Sequence, residues 1–545
     1  MTDPSNLILA IDHLSVRLPA GADRPRALSD VSLSIASNEI LCVVGESGSG
    51  KSVMANSIMR LLPNEVSVDG GHIRFKGRDL ATASPAEMRQ VRGAGIAMIF
   101  QEPMTALNPL LTIGDQIGEM FSIHTDLSRS DINAKVFALL EDVRIPDPVL
   151  AAKAYPHELS GGQRQRAMIA MALALDPKIL IADEPTTALD VTTQAQILKL
   201  IRDLQRRKRT AVLFITHDFG VVAEIADRVA VMQHGVVVEQ GDADAVLNHP
   251  QHPYTRQLIA AVPPLKAPPP RTLNPDPILT ITDVSKTYRT GGFLGRGARV
   301  TAAVRSVSLD LPKGATLGIV GESGSGKSTL ARCIVRLVDP DRGSIVLDGK
   351  DWATMTRDDV RRETRHIQMV FQDPFSSLNP RRTAAELVAQ GPIVHGTPKA
   401  EALARAKELF ALVGLDPAAS DRLPHEFSGG QRQRIGLARA LALRPDVLVA
   451  DEAVSALDVS VQAQVLRLLT DLRERLGLSI VFITHDLRVA AQICDLVAVM
   501  KDGEVVEHGP AGEVFGNPQH PYTRALLDSI PGGDFTRKRD AAALA

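Results

Sequence analysis

The chain has 545 residues, of which 44% are hydrophobic and 23% charged, and its formal net charge is −2. This is ordinary globular composition, which excludes a disordered chain, and the length suits two units of about 250 to 270 residues. The near-neutral balance argues against a protein built to bind polyanions through phosphate contacts.

Cys42, Cys333 and Cys494 are too far apart for a disulfide framework or metal-ligand spacing. The N-terminus has Asp3 and Asp12 around a short apolar patch and no signal-peptide pattern. No run of 18 apolar residues exists to span a bilayer. A soluble, cytoplasmic chain is expected.

In chain order, the run Ile40 to Val44 reads as a strand leading into GESGSGKS: Gly45, Glu46, Ser47, Gly48, Ser49, Gly50, Lys51 and Ser52. A helical pattern follows Lys51. The apolar segment AMIF ends at Gln101, and the next stretch reads as surface loops and a helical insert. Leu159 opens LSGGQRQR, with Ser160, Gly161, Gly162 and Gln163 before another helical stretch. Ile179 to Ala182 is apolar throughout and ends in Asp183-Glu184. Ala211 to Ile215 is similar and ends in Thr216-His217. Strands apolar on both faces and separated by helices predict a parallel sheet covered on both sides, with the polar pairs at the strand ends where α/β sheets bind ligands. The basic run Arg206 to Arg209 reads as a solvated helix end.

The same kit then recurs. Gly321, Glu322, Ser323, Gly324, Ser325, Gly326, Lys327 and Ser328 repeat the loop. Gln372 follows QMVF, and Ser428, Gly429, Gly430 and Gln431 repeat the SGGQ segment after Phe427. Asp451-Glu452 and His485 repeat the strand ends. Ser160 to Ser428, Asp183 to Asp451, His217 to His485 and Tyr254 to Tyr522 are all 268 positions apart. Length differences therefore fall earlier, between the phosphate loop and SGGQ. The expected organisation is a first domain over 1–262, a linker over 263–277, and a second domain over 278–545. Residues 261 to 277 contain seven prolines, which lack backbone donors and predict a semi-extended tether.

G-x-x-x-x-G-K-S after an apolar strand is a phosphate cradle. Its glycines let the backbone approach, and the helix start offers free N–H groups and positive partial charge. Lys51 and Lys327 are expected to reach the β- and γ-phosphates of ATP, and Ser52 and Ser328 to ligate Mg²⁺ with Asp183 and Asp451. Glu184 and Glu452 are placed to polarise an attacking water. Gln101 and Gln372 are expected to touch Mg²⁺ or that water, and His217 and His485 the γ-phosphate. SGGQ at a helix start makes a second anion site.

This ordered set resembles the ATPase domain of ABC transporters, twice over and across nearly the whole chain. The resemblance implies two P-loop NTPase domains, each a RecA-like parallel core with a helical subdomain. It also implies head-to-tail pairing, in which Ser428 to Gln431 face the nucleotide of the first loop and Ser160 to Gln163 that of the second, with Asp190 and Asp458 along the seam. QHPYTRQL from Gln251, QHPYTRAL from Gln519, FQEPMTALNP and FQDPFSSLNP are similar to the ATPase subunits of oligopeptide, dipeptide and nickel importers. The fused arrangement resembles microcin C/peptide and glutathione uptake ATPases. That likeness implies two transmembrane permeases and a periplasmic or extracellular solute-binding protein as partners, no nucleic acid, and a peripheral place on the cytoplasmic face of the inner membrane. The near-neutral charge, the short linker and the HPYTR tails weigh against a tandem ATPase acting on ribosomes or DNA.

Three departures from the family pattern stand out. An adenine-stacking aromatic is expected at Tyr288, but the aligned residue in the first copy is Leu18. Ala453 stands where the first copy has Pro185. No cysteine follows either HPYT segment, so no iron–sulfur cluster is expected.

Overall fold

The structure is a computed structural model describing residues 6–22, 24–187, 189–290, 299–372, 377–455 and 457–533. Residues 373–376 of the FQDPFSSLNP segment, and Ala188 and Ala456 of the two ALD segments, lie outside the described residues, as does Asp3. The described residues divide into two compact units, one comprising 6–189, 193–262 and 531–533, the other 190–192 and 263–530.

In the first unit β3 (Ile40–Val44), β6 (Ile96–Ile99), β7 (Ile179–Asp183), β8 (Ala211–Thr216), β9 (Arg228–Gln233) and β10 (Val236–Asp242) form a six-stranded sheet in the order β10-β9-β3-β8-β7-β6. All neighbours are parallel except the β9–β10 edge pair. Every residue of β3, β7 and β8 is buried, which explains their unbroken apolar runs. The second unit repeats this order. Its strands are β13 (Thr316–Val320), β16 (Ile367–Val370), β17 (Val447–Asp451), β18 (Ser479–Thr484), β19 (Leu496–Lys501) and β20 (Glu504–Pro510), arranged β16-β17-β18-β13-β19-β20.

Sequence reading did not anticipate a second, antiparallel sheet in each unit. Strands β1 (Leu7–Arg17), β2 (Arg26–Ala36), β4 (Ser67–Phe75) and β5 (Arg78–Asp79) are ordered β2-β1-β4-β5. Strands β11 (Pro277–Thr290), β12 (Arg299–Pro312), β14 (Arg342–Leu347) and β15 (Lys350–Asp351) repeat it. Leu9, Ile11 and Ile73 of this sheet share one core with Leu41 and Val43 of β3 and with Met54 and Ile58 of the Lys51–Met59 helix. That helix is therefore enclosed by apolar side chains, each contributing roughly 1.5–3 kcal/mol when fully buried.

The helical insert is present as expected. Thr112 caps the Ile113–His124 helix by accepting from the Asp115 amide, and Ile113, Ile117 and Phe121 form its buried face. Among the described residues no helix is long and apolar enough to cross a membrane.

The proline-rich segment differs from a free tether. Leu265, Ala267 and Leu273 pack against cores of the second unit. The Arg271 guanidinium meets both Asp495 carboxylate oxygens at 2.6 Å and donates to the Gly314 carbonyl at 2.7 Å. Pro277 heads β11 opposite Pro312 rather than ending the linker; a strand's first residue tolerates the missing N–H.

One packing detail distinguishes the copies. Gly318 in β13 occupies the place of Cys42 in β3, and an added Cβ there would lie 2.6 Å from the Cys494 sulfur. The residue aligned with Cys494 is Ala226, so each copy places one sulfur at this junction. Gly318→Cys is expected to destabilise the second unit by about 1–3 kcal/mol through overpacking. Adding Cys494→Ala should recover most of that loss, as denaturant titration of the full chain will read out.

Candidate functional site

The two phosphate loops have the same local construction. The end of β3 enters Gly45, where a Cβ would stand 2.2 Å from the Met232 carbonyl oxygen; at Gly321 the distance to the Met500 carbonyl is also 2.2 Å. Only glycine allows this approach. Gly48 and Gly324 adopt φ of +76° and +83°, and a Cβ on either would meet nothing within 4 Å among the described residues. Ser47 and Ser323 are exposed, whereas Ser49 and Ser325 are buried. The loops turn into the Lys51–Met59 and Lys327–Ile334 helices through Gly50 and Gly326, both at φ +104°.

Lys51 and Lys327 are each 5% exposed. The Lys51 ammonium donates to the Gly45 and Glu46 carbonyls at 2.7 and 2.9 Å, and Lys327 to those of Gly321 and Glu322 at 2.8 and 2.7 Å. Burial pulls the Lys327 ammonium below the usual lysine range, against the opposing charges of Glu452 and Asp451.

The strand ends converge on this cradle. Ser52 donates to Asp183 at 3.1 Å and Ser328 to Asp451 at 3.0 Å. Burial raises both aspartates above the normal carboxylate range despite those hydrogen bonds. The neighbouring Glu184 goes the other way. Burial would raise it, but His217, Lys51 and Thr187 outweigh burial and hold it at about 2. Glu452 is likewise lowered, burial again being overcome by His485 and Lys327. His217 Nδ1 lies 3.4 Å from Glu184 and His485 Nδ1 3.4 Å from Glu452. Burial depresses His485, but contact with Glu452 leaves it above its ordinary value. Gln101 donates its amide to Glu184 at 3.1 Å, and Gln372 to Glu452 at 2.6 Å. Each unit thus gathers the serine, aspartate, glutamate, glutamine and histidine that the sequence singled out.

The structure adds detail at SGGQ. Ser160 and Gln163 form a capping box: the Ser160 hydroxyl accepts from the Gln163 amide at 3.3 Å, and the Gln163 side chain accepts from the Ser160 amide at 2.9 Å. Ser428 and Gln431 do the same at 3.3 and 2.9 Å. These side chains hold the helix start in shape. Gly162 and Gly430 are packing glycines, because a Cβ would meet Thr193 at 2.8 Å and Val461 at 2.5 Å. Gly161 and Gly429 face open space among the described residues, which is where a ligand can approach the backbone.

The site suits a magnesium nucleotide. Neither loop helix has a capping side chain among the described residues, so its first amides are not claimed by one. The buried Ser325 hydroxyl has no hydrogen-bond partner there. The Ser52–Asp183 and Ser328–Asp451 pairs offer hard oxygen donors, the chemistry Mg²⁺ requires. Tyr288 is half-buried in β11 with the Lys286 ammonium 6.0 Å from its ring centroid, whereas Leu18 packs against the first unit's core just beyond β1.

Sequence reasoning missed Tyr254 and Tyr522. Their hydroxyls accept hydrogen bonds from the Glu46 and Glu322 amides at 3.2 and 3.3 Å. The recurring HPYTR segment was the signal for them.

The ABC transporter family matches residues 28–187 and 304–455. The oligopeptide/dipeptide transporter C-terminal region matches 238–283 and 506–543. The glutathione import ATP-binding protein GsiA of Escherichia coli O157:H7 is 47% identical over 565 aligned residues, covering 98% of this chain and 91% of its own. Its namesake from Shigella dysenteriae serotype 1 is 47% identical with the same coverage. Among solved structures, a dimeric ATP-binding cassette in a post-hydrolysis state bound to ADP and Pi is 32% identical. It covers 43% of this chain and 98% of its own, with a TM-score of 0.39.

The contrast between Tyr288 and Leu18, where an adenine-stacking aromatic is expected, carries a prediction. Tyr288→Ala is expected to weaken ATP binding by the second copy about three- to tenfold through lost stacking. Leu18→Ala should change first-copy affinity far less; nucleotide titration of the two variants checks both.

Proposed function

Since the chain belongs to the ABC transporter family of ATP-binding proteins, we propose that each copy binds MgATP on its own phosphate loop and hydrolyses it with its own Glu–His–Gln set. The chain is an ATP-hydrolysing subunit powering an importer for peptides or related small solutes; its relatives are named for glutathione import, and a solute of that size and polarity fits the reading. Such subunits work with membrane permeases. We take the partners to be two permeases and an external solute-binding protein, and the location to be the cytoplasmic face of the inner membrane. Around Gln101, Met104, Leu110 and Leu111 are exposed apolar side chains of the kind that protein partners cover.

The chemistry follows from the side chains. Loop amides and Lys51 or Lys327 orient the β- and γ-phosphates. Ser52 with Asp183, and Ser328 with Asp451, would hold Mg²⁺, joined by Gln101 and Gln372; when bound, the ion neutralises phosphate charge. Glu184 and Glu452, ionised at neutral pH, accept a hydrogen bond from the attacking water and draw off its proton. His217 and His485 fix those carboxylates and reach the γ-phosphate side. The Gly161 and Gly429 amides supply further phosphate contacts at their helix starts.

The observation carrying this reading is the carboxylate held by a histidine and a glutamine in both copies alike. Glu184→Gln combined with Glu452→Gln should leave ATP affinity within about threefold while lowering turnover at least about 100-fold. Steady-state hydrolysis and equilibrium binding measure the two effects. Unchanged hydrolysis in that double variant would remove both glutamates from the chemistry.

A further inference from the structure

The HPYTR segment is a recurring motif to which ATP chemistry assigns no role. In the first copy it builds the Pro253–Ala261 helix from its N-terminus. His252 caps the helix by accepting from the Tyr254 amide at 3.2 Å. Glu239 of β10 accepts from the Gln251 and His252 amides at 2.7 and 3.1 Å. Arg256 folds back onto the Pro250 and Gln251 carbonyls at 3.2 and 2.7 Å. Tyr254, Leu258 and Ile259 are buried. The second copy repeats the pattern with His520, Glu507 and Arg524.

Packing explains an aromatic ring at Tyr254 but not its hydroxyl, since phenylalanine would fill the same space. The hydroxyl instead reaches 208 residues back along the chain. It accepts from the Glu46 amide at 3.2 Å and donates to the Glu46 carboxylate at 3.3 Å. Tyr522 accepts from the Glu322 amide at 3.3 Å, across 200 residues. The peptide unit it grips is closely hemmed in. Gly45 is pressed on the Met232 carbonyl, and the carbonyls of Gly45 and Glu46 are the acceptors of the Lys51 ammonium. Rotation of that peptide would carry the Gly45 carbonyl, one of the lysine's two acceptors, with it.

We propose that Tyr254 and Tyr522 are positioning residues for ATP binding, their hydroxyls locking the first turn of each phosphate loop so that Lys51 and Lys327 are pre-aimed at the phosphates. The C-terminal region is thereby a strut of the nucleotide site. The Lys501 ammonium lies 5.0 Å from the Tyr522 ring centroid, where the first copy has the neutral Gln233. This inference rests on ATP occupying the loops, and wild-type binding tests that premise separately.

The test uses the full chain with Tyr254→Phe, Tyr522→Phe and the two combined. The combined variant is expected to raise the ATP dissociation constant about three- to tenfold, the worth of one hydrogen bond, with kcat at saturating ATP within about twofold. Each single variant should affect its own copy. The control, Arg256→Ala with Arg524→Ala, loosens the same helices without touching the hydroxyls, and should lower the melting temperature while leaving ATP affinity unchanged. Wild-type ATP affinity in a folded Tyr254→Phe/Tyr522→Phe chain overturns the proposal. So does an equal affinity loss in the arginine control, which would mean that helix docking matters and the hydroxyl does not. If the wild-type chain binds no ATP, the earlier reading fails instead.

Discussion

A buried ammonium with its own loop wrapped around it is the constraint on which each unit is built. Removing a lysine from water is expensive, and the favoured response is to lose the charge unless acceptors surround it. Here the acceptors are two backbone carbonyls of the loop itself, in both copies. Curling those carbonyls inward forces the first glycine against the end of β9 or β19, and the helix that follows starts without a side-chain cap on its amides. A charged ligand then finds a lysine already desolvated and amides already aligned, so little reorganisation is left to the binding step.

The two copies show which parts of this arrangement are fixed and which can drift. The loop, the serine–aspartate pair and the glutamate–histidine–glutamine set agree to within a few tenths of an ångström. Away from them, residues trade places. The sulfur of Cys42 on the strand in one copy becomes that of Cys494 beside the strand in the other, and Leu18 stands for Tyr288. Ala453 replaces Pro185 next to a glutamate whose backbone is unchanged: Glu184 and Glu452 have φ of +46° and +47°. The core swap keeps one sulfur in each copy and differs by one methyl group, since Gly318 and Cys494 stand for Cys42 and Ala226. Leu18 and Tyr288 are both half-buried, so aromatic and aliphatic side chains are interchangeable there in folding while differing in what they offer a ligand.

Much of the parallel core was legible because its strands are buried on both faces and their apolar runs end in charged residues, as at Asp183 and His217. The antiparallel sheet was not read because its strands alternate. Leu9, Ile11, Leu14 and Val16 face inward, but Ile8 and Ala10 beside the first two are also apolar and polar neighbours begin only at Asp12, a weak pattern in a chain with stronger signals elsewhere. The prolines of the linker correctly denied it a helix. Yet the contacts of Arg271 with Asp495 depend on residues more than 200 positions away, which local composition cannot reveal. For the same reason the HPYTR tyrosine was visible only as a motif, since its partner lies at the other end of its unit.

The glutamates proposed as catalytic, Glu184 and Glu452, show how a strained backbone can be informative. A left-handed conformation at a residue with a side chain costs on the order of 1 kcal/mol, and glycine would remove that cost. Glutamate persists there twice. The fold holds the residue in place by pairing its amide with the Ile215 or Ile483 carbonyl, at 3.0 and 2.9 Å. The turn at this point swings the carboxylate away from the strand axis and beside the histidine of the next strand. In an extended conformation, Glu184 would point to the opposite face from Asp183, and the two carboxylates could not serve one site. The strain therefore buys adjacency: one carboxylate stays with the serine and the other with the histidine, with burial and histidine driving their proton affinities apart.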